Sequence, residues 1–261
     1  MLGKLLKYDF KWINKVMYVH FIILFILSIV VKFVESVEQT ILLVIIDKIV
    51  SAMFIGCIVS IIITCVMRIW SKFIASVYKD ESYLTHTLPV TKNQIFNAKI
   101  LSSILSLALS MLVIFVCIAF VYINKDSIVV IKSMYQSLVD VYGGIFAIFF
   151  IFGIILLVFL EIVYFMMAGI FGIVIGYRSN NYKTIKSIVI GILSYGMLST
   201  ISFVILFFIS QFVDVEIISN GFPSLNTMKV LGLTFIIVYL AYNLIYYFVS
   251  KSILKNGVNV E

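Results

Sequence analysis

Two places in this chain carry residues whose type and spacing could do chemistry or recognition. The first is Glu161, a lone carboxylate in the middle of an apolar run from Gly143 to Gly176. A carboxylate at that depth costs several kcal/mol unless it is paired, protonated or turned toward water. It is either a pathway or coupling residue facing a cavity or subunit interface, or a protonated carboxyl hydrogen-bonded to a neighbouring helix. No Lys or Arg stands near the middle of any apolar run, which favours a Ser, Tyr or backbone partner. The second place is the polar segment Tyr78–Lys99, which reads Y-K-D-E-S-Y-L-T-H-T-L-P-V-T-K-N-Q-I-F-N-A-K. Pro89 stops the incoming chain. Thr91 and Gln94 have the spacing of a capping box, in which each side chain satisfies a backbone N–H of the other. A short helix is therefore expected from Lys92, running into the next apolar stretch. In a chain that is otherwise nearly all lipid-soluble, such a capped amphipathic helix implies contact with a soluble partner.

Catalysis has little support. His20 and His86 are the only histidines and lie in different segments. There is no H-E-x-x-H, so a zinc protease is not indicated, and no G-x-S-x-G. Gly191 and Gly196 have the glycine spacing of a phosphate loop, but Met197 and Leu198 stand where Lys and Ser/Thr are required. No catalytic, cofactor or metal residue is expected. If ATP energises this protein, another polypeptide hydrolyses it. Cys57, Cys65 and Cys117 all fall in apolar stretches and read as reduced core residues, with no disulfide framework.

The elements that must position these residues are membrane spans. Hydrophobic residues make up 63% of the chain and charged residues 12%, against about 25% charged in soluble domains. Six stretches reach the ~20 apolar residues a bilayer requires: 16–34, 49–67, 100–123, 143–176, 188–213 and 229–249. With both termini cytoplasmic, 14 Lys/Arg fall inside and 5 outside, a clear positive-inside bias. Glu35, Glu38, Asp47, Asp126, Asp140, Asp214 and Glu216 fall outside, and Trp12 and Trp70 sit at the inner interface. The net charge of +7 is thus a topology signal and not a nucleic-acid footprint. The first apolar run has no small-residue cleavage site after it and reads as a span.

The expected fold is an all-α integral membrane protein with six transmembrane helices and both termini cytoplasmic. It is one transmembrane domain over 1–261. Within it, 1–15 is an interfacial amphipathic helix, with Lys4, Lys7, Lys11 and Lys15 toward headgroups. Spans 1 and 2 occupy 16–67, the cytoplasmic loop 68–99, spans 3 to 6 100–249, and the cytoplasmic tail 250–261. Outside loops are short, the largest around Asp214–Met228, and no internal repeat is evident. The fourth run amounts to ~51 Å of straight helix. It must protrude, kink or break, with Gly153, Gly169 and Gly172 as places to do so. Ala168, Gly172 and Gly176 form a small-residue ladder that lets helices approach closely. Ser102, Ser106 and Ser110 form a second stripe. Either stripe is internal packing, or a dimer or substrate face.

The stretch Glu81-Ser82-Tyr83-Leu84-Thr85-His86-Thr87-Leu88-Pro89-Val90-Thr91, followed by a short polar helix and Ala98-Lys99, resembles the cytoplasmic loop of ABC-2 type transporter permeases of low-GC Gram-positive bacteria. Leu5-Leu6-Lys7-Tyr8-Asp9-Phe10-Lys11 is similar to that family's N-terminal elbow helix, and Lys255–Glu261 to its basic, Asn-containing tail. The resemblance covers the whole chain and is most specific over Leu84–Pro89. It implies a multi-pass protein of the bacterial cytoplasmic membrane. Two such permeases, copies or paralogues, would pair on separate ATPase subunits that bind ATP and magnesium. The coupling helix at Lys92–Ala98, with its approach, would dock through Tyr83, Leu84, His86, Leu88, Pro89, Thr91, Lys92, Gln94, Ile95 and Phe96. Relatives export lantibiotics and other antimicrobial or amphipathic peptides, including phenol-soluble modulins, and others move small ions or drugs; a peptide-like substrate is the expectation, for which an apolar, serine-striped path is suited. Two other classes stay open: a six-span immunity or scaffold protein that acts by binding, and a proton-coupled transporter using Glu161.

Overall fold

The computed structural model describes residues 2–37, 40–79, 81–87, 90–123, 125–212 and 224–255. Among them are eight α-helices and no strand: α1 (Leu2–Ser36), α2 (Ile41–Val77), α3 (Ser82–Thr87), α4 (Lys92–Tyr122), α5 (Lys125–Tyr142), α6 (Gly144–Gly176), α7 (Lys183–Phe212) and α8 (Leu225–Lys255). All but α3 and α5 are long and apolar enough to cross a membrane. These six run to 30–37 residues, or about 45–55 Å at 1.5 Å per residue. A hydrocarbon core of ~30 Å cannot contain them, so each tilts or extends beyond it.

Burial is inverted relative to a soluble protein. Asn14, Ser28, Ser106 and Lys99 are buried, while Ile41 is 85% and Phe203 72% exposed. In lipid the outward apolar face is the satisfied one, and polar groups must find partners inside. This makes the chain a multi-pass membrane protein.

The chain divides into two compact units, Met1–Ile131 and Lys132–Glu261, where the sequence reading treats 1–261 as one domain. In the first unit α1 is central. It runs antiparallel to α2, with Trp12 under Arg68, and parallel to α4, with Asp9 facing Lys99 and Lys32 reaching the Phe120 carbonyl. Ile13, Met17, Leu24, Phe54, Ile61, Ile69 and Leu107 form its core. In the second unit α6 is central, antiparallel to α7 (Glu161 opposite Tyr195) and parallel to α8 (Leu160 opposite Asn243).

Two expectations change. The segment 1–15 is not a separate in-plane helix: α1 is continuous from Leu2 to Ser36. No Gly or Pro interrupts residues 4–36, and Asp9 and Asn14 find their partners inside the bundle, which keeps the first turns coaxial with the rest. The helix expected from Lys92 does run into the next span, as the first turns of α4, and a separate short helix, α3, precedes it. Finally, the connection after α4 is the 18-residue helix α5. Its Val130, Ile131, Met134 and Leu138 fall on one side and Lys132, Gln136 and Asp140 on the other, a pattern suited to the plane of an interface. Gly143, at φ 83°, makes the turn into α6, a backbone conformation that favours glycine. The sixth apolar stretch's preceding loop, Asp214–Phe222, lies outside the described residues.

Candidate functional site

The polar residues of the first unit gather at one end, where the start of α1, the end of α2 and the start of α4 meet. Asp9 sits between two ammonium groups. Its Oδ2 is 3.3 Å from Lys99 Nζ on α4, and its Oδ1 is 4.0 Å from Lys72 Nζ on α2. Lys72 in turn binds Glu81 at 2.5 Å. The Arg68 guanidinium stacks 3.8 Å from the Trp12 ring centroid and donates to the Trp12 carbonyl at 3.2 Å. Lys72 lies 5.0 Å from the same ring, so one indole serves two cations. One turn along α1, Asn14 donates to Ser106 of α4 at 2.9 Å. Lys99 is only 6% exposed. Buried charge is tolerated here because one carboxylate is shared by two cations, one of which has a second acid.

This network ends on the loop that leads to α3. Tyr78 is buried beside Phe73, with ring centroids 6.5 Å apart. The Glu81 amide donates to the Ala75 carbonyl at 3.1 Å, and the Ser82 amide to Lys79 at 2.7 Å. The corner between α2 and α3 is therefore fixed by backbone bonds, by an aromatic contact and by the Lys72–Glu81 pair. At the other side of the loop the capping box forms as the spacing requires: the Gln94 amide donates to Thr91 Oγ1 at 3.3 Å, and the Thr91 amide to Gln94 Oε1 at 3.1 Å.

Of the expected docking residues, Tyr83 is 75% exposed, and Thr91, Lys92 and Gln94 are exposed as well. Ile95 and Phe96 are not available to a partner. They are 6% and 2% exposed, and Phe96 meets Phe73 of α2 edge-on at 6.3 Å. An apolar pair at the start of a helix is drawn into its own bundle when a facing helix offers an aromatic ring. Leu88 and Pro89 lie outside the described residues, as do the side chains of Leu84 and His86.

In the second unit Glu161 has the tyrosine partner that the lack of nearby cations favours. Tyr195 of α7 donates to its Oε1 at 2.8 Å. The other oxygen, Oε2, is buried without a hydrogen-bond partner. One turn on, Tyr164 is the hub of an aromatic cluster. It stacks on Tyr195 at 4.9 Å and meets Tyr239, Tyr242 and Tyr246 at 5.6–5.8 Å. Its hydroxyl donates to the Tyr195 carbonyl at 2.8 Å. Three spans thus meet around one carboxyl and a set of phenols, a constellation that could hold or pass a proton. Among the described residues no cation pairs with Glu161.

Both small-residue stripes are internal packing. A Cβ on Gly172 would collide with the Ser187 carbonyl and stand 2.6 and 2.7 Å from the Gly191 N and Cα, and one on Gly176 would strike Ser187. Gly191 in turn faces Ala168, so Ala168, Gly172 and Gly176 are the α6–α7 contact. Ser102, Ser106 and Ser110 are buried in the α1–α4 region and donate to carbonyls of their own helix. The described cysteines are unpaired, and no group of His, Cys, Asp or Glu among the described residues could hold a metal.

Asp9, Lys72 and Lys99 as a set, and the tyrosine hub, emerge only from the structure. Each left a signal. Asp9 is the only acid in residues 1–34. Tyr239, Tyr242 and Tyr246 recur at helical spacing on one face, and Tyr164 follows Glu161 by three. No protein-family model, curated protein or solved structure matches this chain.

Proposed function

We propose that this chain is the membrane subunit of an ABC-2 type ATP-binding cassette exporter in a bacterial cytoplasmic membrane. Both termini are cytoplasmic. It pairs with a second permease, copy or paralogue, and docks on a separate ATPase through α3 and the turn into α4. The observation that carries the reading is the network Glu81–Lys72–Asp9–Lys99. It joins the loop bearing α3 to all three long helices of its unit, so a push on that loop reaches α1, α2 and α4 together. Tyr83, exposed on α3, supplies the kind of residue that dominates protein interfaces, and Lys92 and Gln94 are exposed at the start of α4. The exported substrate, by the family resemblance, is an amphipathic or antimicrobial peptide. The serine stripe does not bear on that choice, because it is buried within the unit.

The test is a detergent pull-down of the tagged chain from its native membrane, with the accompanying chains identified. A stoichiometric ATP-binding subunit supports the reading. Tyr83→Asp with Lys92→Glu, at unchanged membrane level, should lose that subunit. Undiminished binding and permease-stimulated hydrolysis in the double variant would remove α3 from the interface. If no ATPase accompanies the chain under conditions that preserve other membrane complexes, the immunity or scaffold reading takes its place.

A second reading rests on Glu161. A carboxyl held by Tyr195 at 2.8 Å among spans is the kind of group that carries a proton in a secondary transporter. Transport that follows the pH gradient, needs no ATP and is abolished in Glu161→Gln would favour it over the exporter.

A further inference from the structure

The parallel helices α6 and α8 line, at their N-terminal ends, a half-open cavity of about 420 Å3. That is within the range of sites for single small ligands. Phe146, Phe150, Gly153 and Leu157 of α6 form one wall and Gly232 and Ile236 of α8 the other. Lys229, in the first turns of α8, is the one charged side chain in the lining among the described residues. Its ammonium lies 4.1 Å from the Phe146 ring centroid, and it enters no ion pair among the described residues.

Three features define what fits. The first is depth. From Phe146 to Leu157 the wall follows three turns of α6, about 16 Å of rise, which is half of a ~30 Å hydrocarbon core. The cavity is therefore about as long as one leaflet is thick, and it begins where the helices begin. The second is polarity, since its walls are aromatic and aliphatic below a single cation. That cation stands beside the N-terminal ends of two helices, whose unpaired amides also favour negative charge. The third is free room. A Cβ added at Gly153 or at Gly232 would meet nothing within 4 Å, in contrast to Gly172, where it would collide with backbone. The space before these two glycines is the cavity itself.

We propose that this cavity is a binding site for an anionic phospholipid of the adjoining leaflet, with one acyl chain between α6 and α8 and its phosphate on Lys229. The occupant has an apolar tail one leaflet long and a negative head at the level of the first helical turn. This assignment does not depend on the exporter reading, since it needs only that the chain spans a bilayer.

The experiment uses the full chain, purified in mild detergent and reconstituted in nanodiscs, with phosphatidylglycerol and phosphatidylcholine as the probes. Native mass spectrometry counts the lipid retained per chain. The wild type should keep one phosphatidylglycerol through delipidation that strips the rest. Lys229→Gln should lower its preference for phosphatidylglycerol by about fivefold, the effect of one near-surface charge. Gly153→Leu with Gly232→Leu should fill the cavity and expel the lipid while thermal stability holds or rises. Lys132→Gln, a change of charge on α5 away from the lining, should leave the lipid in place. Retention of the lipid in the filled variant would overturn the site. Equal loss in Lys132→Gln and Lys229→Gln would reduce it to general attraction for anionic lipid and overturn it as well. If the filled variant keeps its lipid but loses peptide transport, the cavity belongs to a substrate path instead.

Discussion

Asp9 and Glu161 are both carboxyls enclosed by helices, and they solve the problem in opposite ways. Asp9 is held between cations; Glu161 is held by a phenol. The expected consequences differ accordingly. Asp9→Asn leaves Lys99 buried with no acid, while Lys72 keeps Glu81. Breaking a buried pair from one side costs about 3–5 kcal/mol, and this should appear as a lowered unfolding midpoint in detergent. Adding Lys99→Met removes the stranded charge and should restore most of the loss, whereas Lys72→Met should not. Equal rescue by either would show that the two lysines are interchangeable partners. At Glu161 the side chain matters less than its donor. Glu161→Gln keeps the shape and an acceptor for Tyr195, so the protein should fold normally. Tyr195→Phe removes the donor and leaves a buried oxygen unsatisfied, at about 1–3 kcal/mol. Severe misfolding of Glu161→Gln would mean that this carboxyl carries charge that the fold requires. Glu161 was legible from the sequence because a lone carboxylate in an apolar run is conspicuous. The Asp9 pairs were not, since Lys99 lies 90 positions away and nothing in either local pattern names the other.

Among elements, the clearest lesson is in glycines that look alike in sequence. Gly153 and Gly172 both interrupt the same apolar run. Gly172 lets the α6 backbone touch that of α7, whereas Gly153 opens onto empty space. Gly172→Leu must therefore separate the two helices, an overpacking cost of about 1–3 kcal/mol or more, while Gly153→Leu alone should be neutral or better. Thermal melts of the two variants side by side decide this, and equal destabilisation would contradict the α6–α7 contact. The apolar run that had to protrude, kink or break remains one helix from Gly144 to Gly176. The capping box was legible to the atom because both partners lie within one turn. The docking role of Ile95 and Phe96 was misread for the converse reason. Their partner, Phe73, is on another helix, and an apolar residue in a polar segment says only that it will be covered, not by what. The helix α5 was missed because half-polar segments between spans read as loops when length alone is counted.

For the whole molecule, six spans and the all-α class follow from composition, since almost no other architecture can bury such a chain in lipid. The division into units does not, because contacts between helices rather than runs of residues define it. Each unit has three of the six candidate spans, the first of them central to the other two. Three crossings put the two ends of a unit on opposite faces of the bilayer. That has a consequence for biosynthesis. The first unit carries its own orientation signal, four lysines ahead of its first span. The second has only Lys125 and Lys132 before α6, against Arg178, Lys183 and Lys186 just after it, nearly a balance. Under the proposed topology with both termini cytoplasmic, its handedness in the membrane would be inherited: α6 would insert the right way round because translation of the first three spans had already carried α5 across.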